Sequence, residues 1–232
     1  MASFATRSIP ALATLLRSHA QLRLTRRGGR HPVDPNTMKV PDTLLCQSAA
    51  HCAQRHYGDG ALQRHAYRTI AYAHAIAKIE NLDVDPELLW CACLLHDIGL
   101  PHPVASQCFA VRGALIAHDL AIDAHTAPPR ADQLAEAISR HPAPGLDPHT
   151  QPLAYLVNAG ALLDLTGSRL ERLNPQTVND LLSRQTRAGL EQILTKQWAA
   201  EATHVSRGRA SVARALGFLT AARCAPYPRA QK

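Results

Sequence analysis

Apolar residues recur at helical spacing along most of the chain, and proline, glycine and acidic residues break the segments they mark. Leu62, Ala66, Ile70, Ala73, Ile76 and Ala77 keep to one face over 62–79, with Asp59-Gly60 placed to start a helix there. Asp85-Pro86-Glu87 is a second start: an acid able to cap free amides, a proline at the first helical position, and a carboxylate at the positive end of the dipole. From Leu88 to Leu95 the chain is then almost unbroken in apolar character, until Gly99 and Pro101 stop it. A helix that is apolar all round has no face for water, so this one belongs in the core. Helical spacing also predicts helices over 110–124, 131–140, 152–165, 175–187 and 191–202. No run alternates in the period of two that a half-buried strand needs, so the pattern predicts an all-α fold.

Two breaks are long enough to border a pocket. His141-Pro142-Ala143-Pro144-Gly145-Leu146-Asp147-Pro148 reads as a loop, and 99–108, with Pro101, His102 and Pro103, is the other rim. His102 reads as a surface loop residue and Trp198 as a core aromatic.

The 232 residues are 46% hydrophobic, enough for one sizeable core. The net charge of +7 would point to nucleic acid if it were spread evenly, and it is not. Residues 1–40 carry seven Arg or Lys against the single acid Asp34, and 204–232 carry six with no acid, so 41–203 is left net negative. We therefore expect a basic N-terminal extension (1–40), a folded domain (41–203) and a basic C-terminal segment (204–232), the charged ends being solvated tails. Nucleic acid is not an expected partner, because no aromatic residues interleave the basic ones. The first 37 residues are rich in Arg with several Ser and Thr, the composition of a mitochondrial transit peptide; Met38 offers an alternative start. No run of 18 apolar residues spans a bilayer, and the six cysteines form no C-x-x-C pair and read as reduced, buried thiols. A cytoplasmic protein is expected, or a mitochondrial one if the leader is used; homo-oligomerisation is left open.

The chemistry gathers at helix ends. His96-Asp97 closes the apolar helix, where a buried carboxylate is costly unless it is paired or bound to a metal. Adjacent helical residues point about 100° apart, so the two can share one ion only at a helix terminus. His65 lies on the first turn of the preceding helix, and Asp164 ends the helix over 152–165. His65, His96, Asp97 and Asp164 thus offer two imidazoles and two carboxylates from three helices. Such a set suits one divalent transition metal, whether Zn, Fe, Mn, Co or Ni. His141 closes the helix over 131–140 before Pro142 and is the candidate proton carrier, with Asp97 able to share that role. By contrast His118-Asp119 lies in an amphipathic helix and reads as a solvated face.

The order His, then His-Asp, then Asp resembles the HD superfamily of metal-dependent hydrolases. It is closest to the branch that contains the cyanamide hydratases. The likeness covers about residues 41–200: Pro41-Asp42-Thr43, His65-Ala66-Tyr67-Arg68, Asp85-Pro86-Glu87-Leu88-Leu89, Leu94-Leu95-His96-Asp97-Ile98-Gly99, the stretch from Cys108 to Ala114, Ala137-Ile138-Ser139-Arg140-His141, and Ala159 to Asp164. The chain departs from that branch at Ala66, where serine is usual, and at Ala110, where glutamate is common. Leu100 stands where the cyclic-dinucleotide phosphodiesterases have lysine, and Gly-Tyr-Pro is absent.

The resemblance implies an HD-domain helical bundle with a single buried metal site, His141 near the metal, and water activated by the metal attacking a small-molecule substrate. Hydration of a nitrile-like carbon or cleavage of a C–N bond is the favoured reaction. Hydrolysis of a nucleotide or other phosphomonoester is the alternative, for which Arg64, Arg68, Arg112 and Arg140 would be the cations. A non-catalytic metal- or ligand-binding domain is the third.

Overall fold

The computed structural model describes residues 28–227, and every helix that the hydrophobic spacing predicts is present in it. In chain order the helices are α1 (Leu44–Tyr57), α2 (Ala61–Glu80), α3 (Pro86–Leu95), α4 (Phe109–Asp123), α5 (Pro128–Arg140), α6 (Pro152–Thr166), α7 (Pro175–Arg184), α8 (Leu190–His204), α9 (Arg209–Ala215) and α10 (Phe218–Arg223). Short 3-10 turns occupy Pro35–Met38 and Leu170–Arg172. Among the described residues β-structure is limited to two isolated bridges, so the fold is all-α.

The core forms around α3. All eight residues from Leu88 to Leu95 are buried, with α1, α2, α5 and α6 packed about them. Its start is fixed as the sequence implied: Asp85 Oδ1 accepts from the Glu87 and Leu88 amides at 2.9 and 3.1 Å, while Oδ2 takes a 2.6 Å bond from Arg130. The most extensive helix pair is α2 with α6. A close approach at Gly160 allows it, since a Cβ there would stand 2.7 Å from the Thr69 carbonyl oxygen and 3.0 Å from the Ala73 nitrogen.

A second apolar cluster lies to one side of this core. Leu62, Leu100, Phe109, Ala110 and Leu165 meet Leu190, Leu194 and Trp198 of α8 there, with Ala210 of α9 beneath them. Leu190, Leu194, Trp198 and Glu201 are the buried residues of α8 and fall on one stripe of it.

The packed chain reaches further at both ends than its charge suggests. Val33 is 2% exposed and sits in the main core, with its amide bonded to Thr177 Oγ1 at 3.0 Å. His31 pairs with the 172–174 backbone. The boundary expected at residue 40 therefore falls too late, because one valine and a few backbone bonds anchor a stretch whose composition is polar. Toward the C-terminus α9 and α10 fold onto α8, and the Tyr227 hydroxyl donates to the Leu163 carbonyl at 2.8 Å, so this part of 204–232 is not a solvated tail. The leader expected over 1–37 lies outside the described residues as far as 27. All six cysteines are free, and four are buried; Cys224 is exposed, against expectation. No helix among the described residues is long and apolar enough to cross a membrane.

Candidate metal centre

Three helix ends converge on one buried space. The first turn of α2 supplies His65, the end of α3 His96 and Asp97, and the end of α5 His141. His96 is the cap residue of α3. The chain then turns away, with Ile98 N bonded to the Leu95 carbonyl and Leu100 N to the Asp97 carbonyl, which takes Asp97 off the helical path. Gly99 makes the turn feasible, because a Cβ there would lie 2.2 Å from the Phe109 carbonyl oxygen.

The three imidazoles are oriented alike. His96 Nδ1 donates to the Cys93 carbonyl at 2.7 Å, His141 Nδ1 to the Ile138 carbonyl at 2.7 Å, and His65 Nδ1 to Asp164 Oδ2 at 2.6 Å. Each partner can only accept, so each ring carries its proton on Nδ1 and presents Nε2 to the shared space. Nε2 of His65 and Nε2 of His96 stand 3.2 Å apart, and Asp97 Oδ2 lies 3.8 and 3.4 Å from them. The ring of His141 packs edge-on against His96 at 5.0 Å, with its Nε2 3.8 Å from Asp97 Oδ1.

Lone pairs that face one another at these distances repel unless a positive charge lies between them. Metal–ligand bonds of about 2.0–2.2 Å put neighbouring ligand atoms roughly 3.0–3.5 Å apart, which the His65, His96 and Asp97 spacings approach. These three buried residues form a group able to hold a cation, and the donor set of two imidazoles and a carboxylate suits a divalent transition metal.

The electrostatics favour the same view. Burial would raise Asp97, but His96, His65 and His141 around it hold its carboxyl far below the usual range. Burial pulls His96 down while the Asp97 charge and hydrogen bond override it, so His96 is raised. His65 is lowered by burial, and burial together with the nearby His96 pushes His141 down to about 3. Of the two candidate ligand rings, burial thus keeps His65 in the neutral form that ligates, whereas His96 has to give up a proton to do so.

The structure does not bring Asp164 into this group. Its Oδ2 accepts from His65 Nδ1 and, at 2.8 Å, from Arg68 Nη2; its Oδ1 accepts from Arg68 Nε and Arg187 Nη1, each at 2.8 Å. Two guanidinium groups hold it behind His65, where its carboxylate fixes the ring of that residue. His141 is the group that approaches Asp97 instead.

The phosphate-binding candidates are also engaged elsewhere. Arg64 bonds to the carbonyls of Asp59, Thr186 and Ala188, and Arg68 to Asp164. Arg112 holds Glu201 and the carbonyls of Gly99 and Gln107, while Arg140 pairs with Glu136 at the surface. The 141–152 loop gives only His141 to the site. Its Thr150 and Gln151 line a separate cleft of about 310 Å³ together with Asp83 and Arg140. His102 lies 6.1 Å from His56, outside the metal group. His118 bridges Asp119 and Asp132, the two carboxylates being well exposed.

Three residues near the site were not foreseen. Arg187 reaches Asp164 and stacks over Tyr227 at 4.1 Å; Asn158 Nδ2 donates to the His141 carbonyl at 2.6 Å; the buried Tyr57 phenol is pushed well above its ordinary pKa by burial and by the Asp97 charge. No local spacing marks any of them.

The family model for the HD domain matches residues 62–179, just over half of the chain and a span that contains His65, His96, Asp97, His141 and Asp164. The search of curated proteins found no match.

Proposed function

The chain belongs to the HD domain family, and on that premise we propose that it is a metal-dependent hydrolase or hydratase acting on a small molecule. One observation carries the reading: the Nε2 atoms of His65 and His96 meet at 3.2 Å beside the Asp97 carboxylate, with both Nδ1 protons tied behind them. His65, His96 and Asp97 would hold the cation. When bound, a divalent ion supplies a nucleophile at neutral pH by lowering the pKa of water toward about 7. The chain's own residues do the rest. Asp164 and the Cys93 carbonyl hold two rings in register, which keeps their Nε2 lone pairs aimed at one point. His141, neutral and buried, accepts a proton or hydrogen bond at Nε2, and Asp97 Oδ1 at 3.8 Å favours the imidazolium once it forms. Burial of the whole group excludes bulk water from the reaction.

An uncharged substrate is favoured, of the nitrile or amide type that the cyanamide hydratase branch handles. The motifs from His65 to Asp164 support that branch, and the engagement of Arg64, Arg68, Arg112 and Arg140 leaves phosphate without those cations. Phosphomonoester hydrolysis is the second reading, because HD domains are typically metal-dependent phosphohydrolases.

Metal analysis of the purified protein tests the centre first: about one equivalent is expected, and H96A should lose it. Full retention in H96A would overturn the assignment. A screen of nitriles, amides and phosphomonoesters then separates the readings, phosphate release supporting the second. Turnover of none of the three by metal-loaded protein would leave a binding domain.

A further inference from the structure

Two of the six cysteines meet in the core. Cys46 lies on the first turn of α1 and Cys91 midway along α3, and the two helices pack on each other. Their Sγ atoms stand 3.5 Å apart, and both residues are fully buried. Cys93 falls about 200° further round α3 and takes no part. The contact sets the ionisation of both groups. Its hydrogen bond to Cys91 lowers the Cys46 thiol against burial and the charges of Glu87 and Asp85, while the same bond and burial push Cys91 well above the ordinary value. Cys91 therefore keeps its proton, and Cys46 gives up its own more readily than an isolated thiol. The start of α1 works in the same direction, since a thiolate is favoured at the positive end of a helix dipole.

A nucleophilic sulfur in contact with a protonated one is the arrangement of an attacking and a resolving cysteine. The sulfurs of a disulfide lie about 2.05 Å apart, so the pair has only about 1.5 Å to close. Asp42, Thr43, Leu44 and Gln47 beside Cys46 are exposed, so opening one turn of α1 admits a small oxidant, and helix ends open at least cost. A metal ion is the weaker occupant: among the described residues no third His, Cys, Asp or Glu atom joins the two sulfurs in a group able to hold one.

We infer that Cys46 and Cys91 are a hydroperoxide-responsive pair that closes, in the folded protein, to a disulfide tying the start of α1 to α3, the helix whose end carries His96 and Asp97. The Cys46 thiolate attacks one peroxide oxygen and the O–O bond breaks. The departing oxygen takes up a proton from solvent, the one Cys46 released, and leaves as water or an alcohol; Cys46 becomes a sulfenic acid. Cys91 sulfur then forms the S–S bond at Cys46 Sγ, the S–O bond breaks, and the hydroxyl leaves with the Cys91 proton as water. Two thiols have lost two electrons and the peroxide has gained them. The inference is independent of the metal-centre reading and stands or falls without it.

The full-length protein, reduced and freed of reductant, is treated with equimolar hydrogen peroxide, alkylated in denaturant, digested without reduction and mapped by mass spectrometry. A peptide joining Cys46 to Cys91 should appear, and dithiothreitol should split it. The oxidised protein should melt roughly 5–15 °C higher, because the bond closes a loop between positions 45 apart. In C91A the reaction should stop at a Cys46 sulfenic acid that dimedone captures, and in C46A Cys91 should stay unmodified; circular dichroism checks that both variants fold, and the parent's map needs neither. Modification of Cys108 or Cys224 while the two core thiols remain free overturns the inference. So does a Cys46–Cys91 link that forms only in urea-unfolded protein, a linked form that melts lower than the reduced one, or a folded C91A whose Cys46 dimedone does not capture.

Discussion

A carboxylate offers about four lone-pair positions, and Asp164 has all of them occupied by His65, Arg68 and Arg187. Its role is then to hold His65, whose Nδ1 proton it takes at 2.6 Å, so that Nε2 faces His96. Removing the charge should act differently from removing a ligand. D164N should keep its metal with affinity lowered about 10- to 100-fold, the usual effect of losing the partner that orients a ligating histidine. Loss of all metal, read by metal analysis after dialysis, would return Asp164 to the coordination sphere. The same change leaves the buried Arg68 guanidinium and the partly buried one of Arg187 without their carboxylate and should destabilise the fold by about 3–5 kcal/mol. The pH dependence follows from the sign of the shift. Burial opposes ionisation of Asp164, but Arg68 and Arg187 hold its carboxyl well below the ordinary value. The stability it contributes is thus present above the unfolded value of about 3.9 and lost as pH falls below it. Acid unfolding of D164N, followed by circular dichroism, should show a shallower pH dependence in that range.

At the scale of helices, packing around α3 and between α2 and α6 sets where the ligand-bearing ends fall. α6 carries Asp164 and α2 carries His65, so the close approach at Gly160 fixes the distance across which the two meet. G160A places a methyl group against the Thr69 carbonyl and the Ala73 backbone, neither of which is a flexible side chain. It should lower stability by about 1–3 kcal/mol through overpacking, measured by urea unfolding, and weaken metal binding with it. A stability within about 0.5 kcal/mol of the parent would show that the helix pair can part without consequence.

Helices were legible where large apolar side chains carry the period. α1 was not, because its buried face is Leu45, Cys46, Ala49, Cys52 and Ala53, mostly small residues that leave a faint pattern. α9 and α10 are short and basic, with Ala210 alone buried. In the site, His65, His96, Asp97 and His141 could be read because each stands at a helix terminus that proline, glycine or an acid announces. The partners of Asp164 could not, since Arg68 and His65 reach it across 96 and 99 residues and Arg187 comes from a loop beyond α7. Competition for one carboxylate is decided by tertiary packing, which a spacing argument does not see.

On the scale of the whole molecule, the centre draws together the start of α2 and the ends of α3 and α5, while α6 braces His65 from behind, so a cation bound there closes loops across most of the domain. Folding brings two nitrogen lone pairs to 3.2 Å beside a buried carboxylate, an arrangement that opposes itself until a positive charge arrives. A proton can serve in the absence of metal, which agrees with the raised value of His96 and the lowered value of its neighbour His65. Metal then competes with that proton. Because it binds only the assembled site, free metal at about 100 times Kd should add about 2.7 kcal/mol of stability. For a domain of this size that corresponds to a rise in Tm of about 5–11 °C, removed by a chelator and restored on reloading. The gain should shrink as pH falls through the raised His96 value, because the protonated ring cannot ligate. H96A should show no metal-dependent shift at any pH, and a shift equal to that of the parent would mean that the stabilising ion sits elsewhere.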